Sequence, residues 1–180
     1  QVRLPVVVIG GGLTAIDTAT ESLAYYPVQV EKFLARYELL AARKGPAAVE
    51  AAWNDEERAI AAEFLDHARA LRRERAAAGA EGRPARIVEL LQQWGGATIA
   101  YRKRLVDSPS YTLNHEEIEK ALEEGIRFAE GLTPLAIEVD AHGHASGLRV
   151  ASRQFATDGT ASDAVEVTLP ARSILIAAGT

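Results

Sequence analysis

A run of β-branched residues, Val6-Val7-Val8-Ile9, passes directly into three glycines, Gly10-Gly11-Gly12, and no other stretch constrains the fold as tightly. A short continuous apolar run reads as a strand buried on both faces, the pattern of a parallel sheet covered by helices. Beyond the glycines, Leu13, Ile16, Ala19 and Leu23 recur at helical spacing. The strand is therefore expected to turn straight into a helix of about three turns.

Gly10-Gly11-Gly12-Leu13-Thr14-Ala15 fits G-x-G-x-x-A, the pattern of a dinucleotide-binding turn. Gly10 allows the tight exit from the strand, Gly12 lets the backbone approach a pyrophosphate, and Ala15 permits close helix–strand packing. The helix start adds unpaired N–H groups and a partial positive charge. Such turns also arise for packing reasons alone. Here a buried strand precedes the glycines and an amphipathic helix follows them, which is the context dinucleotide binding requires.

Residues 28–94 differ in kind, being rich in Ala, Arg and Glu with apolar residues on helical stripes. Val30, Phe33, Leu34, Tyr37 and Leu40 form one stripe, and Ala61, Phe64, Leu65, Ala68 and Leu71 a second. Ile87, Leu90, Leu91 and Trp94 form a third. Breaks fall at Gly45-Pro46, near Asn54, between Gly79 and Pro84, and at Gly95-Gly96. These features predict a three- or four-helix insertion that packs partly on itself. Strand chemistry returns at Ala97-Thr98-Ile99-Ala100-Tyr101, before the basic turn Arg102-Lys103-Arg104. Asn114, three residues before Glu117, reads as a capping-box start for a helix ending at Gly125. Ile126-Arg127-Phe128 is extended, hairpin turns fall at His142-Gly143-His144 and Asp158-Gly159, and a last apolar strand covers 173–177. The order predicts an α/β fold: a Rossmann-type parallel sheet with an antiparallel β meander and a helical insertion. The expected domains are a dinucleotide-binding domain, 1–27 with 95–180, and the insertion, 28–94.

Composition narrows the function. The net charge of −5 argues against nucleic acid or an anionic membrane surface as partner. It does not oppose an anionic cofactor, which local geometry holds. Absence of cysteine excludes a disulfide, a thiolate metal site or a dithiol redox pair within these residues. The chain lacks methionine even at position 1 and both ends abut strands, so it is expected to be a piece of a longer polypeptide. It has no signal peptide and no long apolar run, which places the expected protein in the cytoplasm.

Four pieces in order resemble the small (β) subunit of glutamate synthase and its FAD-dependent pyridine-nucleotide oxidoreductase relatives. They are Val8-Ile9-Gly10-Gly11-Gly12-Leu13-Thr14-Ala15-Ile16-Asp17, then Thr98-Ile99-Ala100-Tyr101-Arg102-Lys103, then residues 116–126, and lastly Ile174-Leu175-Ile176-Ala177-Ala178-Gly179-Thr180. The resemblance covers roughly 4–25 and 97–180. It implies a domain that binds NAD(P)H and passes electrons to FAD carried by another domain of the same polypeptide. It further implies that the basic pair at Arg102 and Lys103, with Arg104 a neighbour, holds the adenosine 2′-phosphate. Lys103 stands where the family usually has a second arginine. Leu13 often has a polar counterpart, and the helical insertion has none. The cofactor contacts expected are Gly10, Gly11, Gly12, Leu13, Thr14, Ala15, Tyr101, Arg102, Lys103, Ala178 and Gly179.

The choice between NADP and NAD rests on where the second strand lies. An acidic ribose ligand about 20 residues beyond the glycines, taken literally, is Glu31 after Val28-Gln29-Val30, and the cofactor would be NADH. Val30, however, continues into the helical stripe, whereas 97–101 is the better strand and ends in cations. That favours NADPH. The other candidates are weaker. His142 and His144 lack further ligands, so a solvated turn is expected rather than a metal site. Ser108, Tyr111 and His115 sit in neither a nucleophile elbow nor a Tyr-x-x-x-Lys arrangement. Arg69, Arg72, Arg73 and Arg75 lie in an insertion with eleven basic and eleven acidic residues, which suits a solvated helix face. Trp53 and Trp94 read as packing anchors. No residue is expected to serve as catalytic acid, base or nucleophile. The alternative function is a binding or assembly module whose helical insertion mediates oligomer or partner contacts.

Overall fold

The computed structural model describes residues 1–178. In chain order it contains β1 (Val6–Ile9), α1 (Leu13–Lys44), α2 (Pro46–Glu50), α3 (Asp55–Glu81), α4 (Ile87–Gln93) and β2 (Ala97–Ala100). A 3-10 turn at Leu105–Asp107 leads to α5 (Pro109–Leu113), α6 (His115–Glu123) and β3 (Arg127–Ala129). The strands β4 (Leu132–Val139), β5 (Ala145–Ser152), β6 (Val165–Pro170) and β7 (Ser173–Ile176) complete it. The chain divides into two compact units, Val2–Leu23 with Leu91–Thr180, and Ala24–Leu90 with Gln1.

The first unit holds a four-stranded parallel sheet in the order β3-β2-β1-β7. Strand β1 pairs on both edges and its side chains are nearly solvent-free on both faces, which explains its unbroken β-branched composition. Its neighbours match it residue for residue: Val6 stands opposite Ala97 and Ser173, and Ile9 opposite Ala100 and Ile176. All three strands therefore end at one level. Between β3 and β7 the chain forms the antiparallel sheet β4-β5-β6. Leu132, Leu148 and Val150 from this sheet join Val7, Ala100 and Ala171 in one buried cluster. The fold is the expected α/β class, a Rossmann-type parallel sheet with an antiparallel meander.

The second unit is helical. Tyr26, Val30 and Leu34 of α1 are buried, as are Ala61, Phe64, Leu65, Ala68 and Leu71 of α3. Phe64 meets the rings of Tyr26 and Phe33 edge-on, with centroids 6.1 and 5.8 Å apart. A capping box starts α3: Asn54 Oδ1 accepts from Glu57 N at 2.8 Å, and Glu57 Oε2 accepts from Asn54 N at 3.0 Å. Exposed pairs Arg72–Glu38 and Arg75–Glu31 tie α3 to α1, a small contribution because solvent screens them.

Three local expectations change. The first helix is not three turns long but runs through Pro27 to Lys44, so the expected boundary at 27/28 falls inside it. Pro27 costs one backbone hydrogen bond, yet the stripe Ile16, Ala19, Leu23, Tyr26, Val30, Leu34 stays buried throughout. Burial along that stripe outweighs the proline. Asn114 does precede α6, but its side chain makes no capping bond. Its backbone N–H instead closes α5 on Ser110 O. The third difference is α5 itself, which the periodicity did not predict.

His67 supplies a measurable check on the helical unit. Its Nδ1 lies 2.7 Å from Tyr26 Oη, and burial lowers its pKa from 6.5 to about 4. Because the folded value lies below the unfolded one, the unfolded chain takes up the proton first. The contribution is present above pH 6.5 and is lost as pH falls through that value toward 4. Thermal melts should show Tm falling over this window, and His67→Gln should flatten the fall. An unchanged slope in the variant would contradict the assignment.

Candidate functional site

The site forms where β1, β2 and β7 end together. Gly10 N–H donates to Ala100 O at 3.2 Å, and Ala177 N–H donates to Ile9 O at 2.8 Å, so the ladder continues one step past the strands. A Cβ on Gly10 would lie 2.5 Å from Ala177 O, and one on Gly11 would run into the Tyr101 ring. Backbone packing therefore demands glycine at position 10, and at position 11 any side chain would displace the Tyr101 ring. Gly12 is different: nothing lies within 4 Å of where its Cβ would be, and its φ is not positive. The fold itself makes no demand for glycine there.

Ser110 organises the turn and was not singled out as a cofactor contact from the sequence. It is buried, and its Oγ and N–H both donate to Gly11 O, at 2.7 and 3.4 Å. Ser108 Oγ accepts from Tyr111 N–H at 3.1 Å and caps α5, with Pro109 in the first turn. Ser-Pro at a helix start was the signal available in the sequence. The Gly11–Gly12 peptide is trans, so with Gly11 O directed at Ser110 the Gly12 N–H points the opposite way. That N–H has no acceptor among the described residues. Leu13 and Thr14 are exposed at the start of α1, and Ala15 is fully buried. Since Ser110 commits its proton to a backbone carbonyl, a nucleophilic role for it has no support.

Arg102 and Lys103 follow β2 and line a cleft of about 390 Å³ together with Arg104, Asp107, Thr133, Arg153, Phe155 and Gly159. Arg104 is committed: its Nε and Nη2 donate to Asp107 at 2.8 and 2.9 Å. This pair holds the Asp107 carboxyl below its usual range and raises the guanidinium's. Arg102, Lys103 and Arg153 form no salt bridge among the described residues. Glu31 lies inside α1, where it accepts from Arg75 Nε at 3.0 Å. It does not terminate a strand, and β2 at Ala97–Ala100 is the strand beside β1.

The remaining candidates separate. Ala178 is exposed beyond β7, and Gly179 lies outside the described residues. His142 and His144 occupy the β4–β5 turn, where Asp140 Oδ1 accepts from both backbone N–H groups at 2.9 and 3.0 Å. Among the described residues no group of three or more His, Asp or Glu is placed to hold a metal ion. No helix among them is long and apolar enough to cross a membrane.

Topology and turn together define an α/β chain of Rossmann type, with a glycine turn at the carboxyl edge of a parallel sheet. No family model matches it. Over 144 residues, 80% of its length, the chain is 40% identical to the Rickettsia prowazekii protein named "Uncharacterized protein RP006". The match takes up 18% of that protein, so the chain spans under a fifth of this curated relative. Among solved structures it aligns with the ferredoxin reductase for the CYP199A2 system from Rhodopseudomonas palustris. That alignment covers 97% of this chain and 23% of the reductase, at 11% identity and a TM-score of 0.42. Likeness at that level carries no functional argument.

The glycine geometry makes the three positions experimentally separable. Gly10→Ala should destabilise the fold by ~1–3 kcal/mol, since the backbone at Ala177 must give way. Gly12→Ala should leave the denaturation midpoint nearly unchanged. Urea unfolding of both variants checks the pair, and equal destabilisation would show the turn to be packed differently.

Proposed function

We propose that the chain binds NADPH and serves as the electron-entry domain of an FAD-dependent oxidoreductase, the flavin being held outside these residues. The observation that carries this reading is Gly12: it sits at the carboxyl edge of β1 with open space at its Cβ position and an N–H without an acceptor among the described residues. In an open α/β sheet, ligands bind outside the carboxyl ends where the strand order reverses. Here that point is between β1 and β7, since β2 and β3 lie on the other side of β1. A pyrophosphate at Gly12 would accept from this N–H and those at the start of α1, flanked by Leu13, Thr14 and Ala15. Tyr101 stands over the turn and Ala178 follows β7, so both would flank the bound dinucleotide. The adenosine 2′-phosphate would lie at Arg102 and Lys103.

Hydride transfer needs no acid or base from the protein, whose task is to place the nicotinamide against the flavin. The chain's own residues would bind and orient the dinucleotide, and a bound flavin would accept the hydride. A second reading has one observation in its favour. Tyr25, Val28 and Leu39 are exposed at helical spacing on one face of α1, a stripe suited to self-association or a protein partner.

Calorimetric titration of NADPH and NADH tests the first reading. Wild type should bind NADPH more tightly. Gly12→Val should abolish binding of both while the protein stays folded. Arg102→Ala should weaken NADPH roughly 10- to 100-fold, one charge-assisted contact, and leave NADH nearly unchanged. Glu31→Ala should alter neither. Full binding by Gly12→Val would end the dinucleotide reading.

A further inference from the structure

We infer that Arg153, a residue of the meander distant in sequence from the glycine turn, determines selectivity for a 2′-phosphorylated nucleotide. This rests on the dinucleotide reading and adds a third, independently placed cation to it. The backbone brings Arg153 to the cleft through a short relay. Lys103 O accepts from Gly131 N–H at 3.2 Å, and Gly131 O accepts from Arg153 N–H at 3.0 Å. Gly131 has a φ of +71°, and a Cβ there would collide with the Arg153 carbonyl. The three segments are thus packed backbone to backbone, which links Arg153 to Lys103 through a single residue.

The rest of the cleft fits a small dianion. Four cationic side chains line it against one carboxylate, Asp107. That carboxylate is occupied by Arg104, leaving Arg102, Lys103 and Arg153 without a salt bridge among the described residues. Phe155, Gly159 and Ala161 form one wall, held by the bridge between Phe155 and Ala161. A Cβ on Gly159 would lie 3.2 Å from an Arg104 nitrogen, so this wall closes on the cations. Four cations beside one lining carboxylate leave an excess of positive charge, which a phosphomonoester would offset. Arginine suits it better than lysine, because its planar fork engages two phosphate oxygens at once.

The test uses the whole chain with five probes: 2′,5′-ADP, 5′-ADP, NADPH, NADH and inorganic phosphate. Wild type should bind 2′,5′-ADP more tightly than 5′-ADP. Arg153→Ala should lower affinity for 2′,5′-ADP and NADPH about 10-fold, the loss expected of one charge-assisted contact. Its 5′-ADP and NADH affinities should stay within about twofold, and Arg153→Lys should restore part of the loss. Arg153 is exposed, so its variants should melt as wild type does, and circular dichroism verifies this. Two results overturn the inference while leaving the dinucleotide reading intact. One is an unchanged NADPH-to-NADH ratio in Arg153→Ala when Arg102→Ala collapses it. The other is inorganic phosphate displacing a bound nucleotide as well as 2′,5′-ADP does, which would mark a general anion cleft. Wild type that binds no nucleotide at all overturns both readings together.

Discussion

The parallel pairing of β1 on both edges is the constraint from which the rest follows. A strand flanked in register by β2 and β7 cannot leave the sheet sideways. Its continuation must pass between two neighbouring chains whose carbonyls end at the same level. Gly10 makes that exit, bonded to Ala100 O and pressed against Ala177 O. Three segments far apart in sequence are therefore needed to shape one turn. Ser110 contributes a fourth by fixing the Gly11 carbonyl. The turn is a tertiary object, although its residues are contiguous.

That distinction decides what could be read from the sequence. The strand, the glycines and the following helix are local, and their order was legible. So were the helical stripes of 28–94 and the basic end of β2. The length of α1 was misjudged because the composition changes near residue 28 and a new stripe was read from Val30. A proline within a helix removes one hydrogen bond, but the stripe from Ile16 to Leu34 continues through it without a change of phase. Phase was the stronger signal. The roles of Ser110 and Arg153 depend on contacts with Gly11 and Gly131. Neither pairing has a period or motif to announce it. Asn114 shows the opposite error, a motif present without its hydrogen bond, because α5 had already claimed that backbone.

The glycines carry a second lesson about inference from residue type. Three in a row invite one explanation, yet the structure gives them different ones. Gly10 is required by a neighbouring carbonyl, Gly11 gives room to the Tyr101 ring, and Gly12 meets nothing among the described residues. Glycine costs roughly 0.5–1 kcal/mol relative to alanine in ordered backbone. Where the fold demands it, that cost is offset by a close approach no other residue allows. At Gly12 no such offset exists among the described residues, which leaves the turn open to a group approaching from outside.

The charge distribution extends the same argument. A chain of net charge −5 is a poor general attractor for an anion, and yet the cleft beyond β2 is cationic. These statements are compatible because charges at the surface are screened over about 8 Å at physiological salt. An anion inside the cleft lies among the cations that line it, Arg102, Lys103 and Arg153. Many acids of the helical unit are engaged locally. Arg83 holds Glu74 down to a pKa of about 2, and Glu38 and Glu31 pair with Arg72 and Arg75. The helical unit balances its charges internally, whereas the cleft leaves its cations unbalanced. The same types of charged residue serve in both places, and in the cleft four cations face a single lining carboxylate.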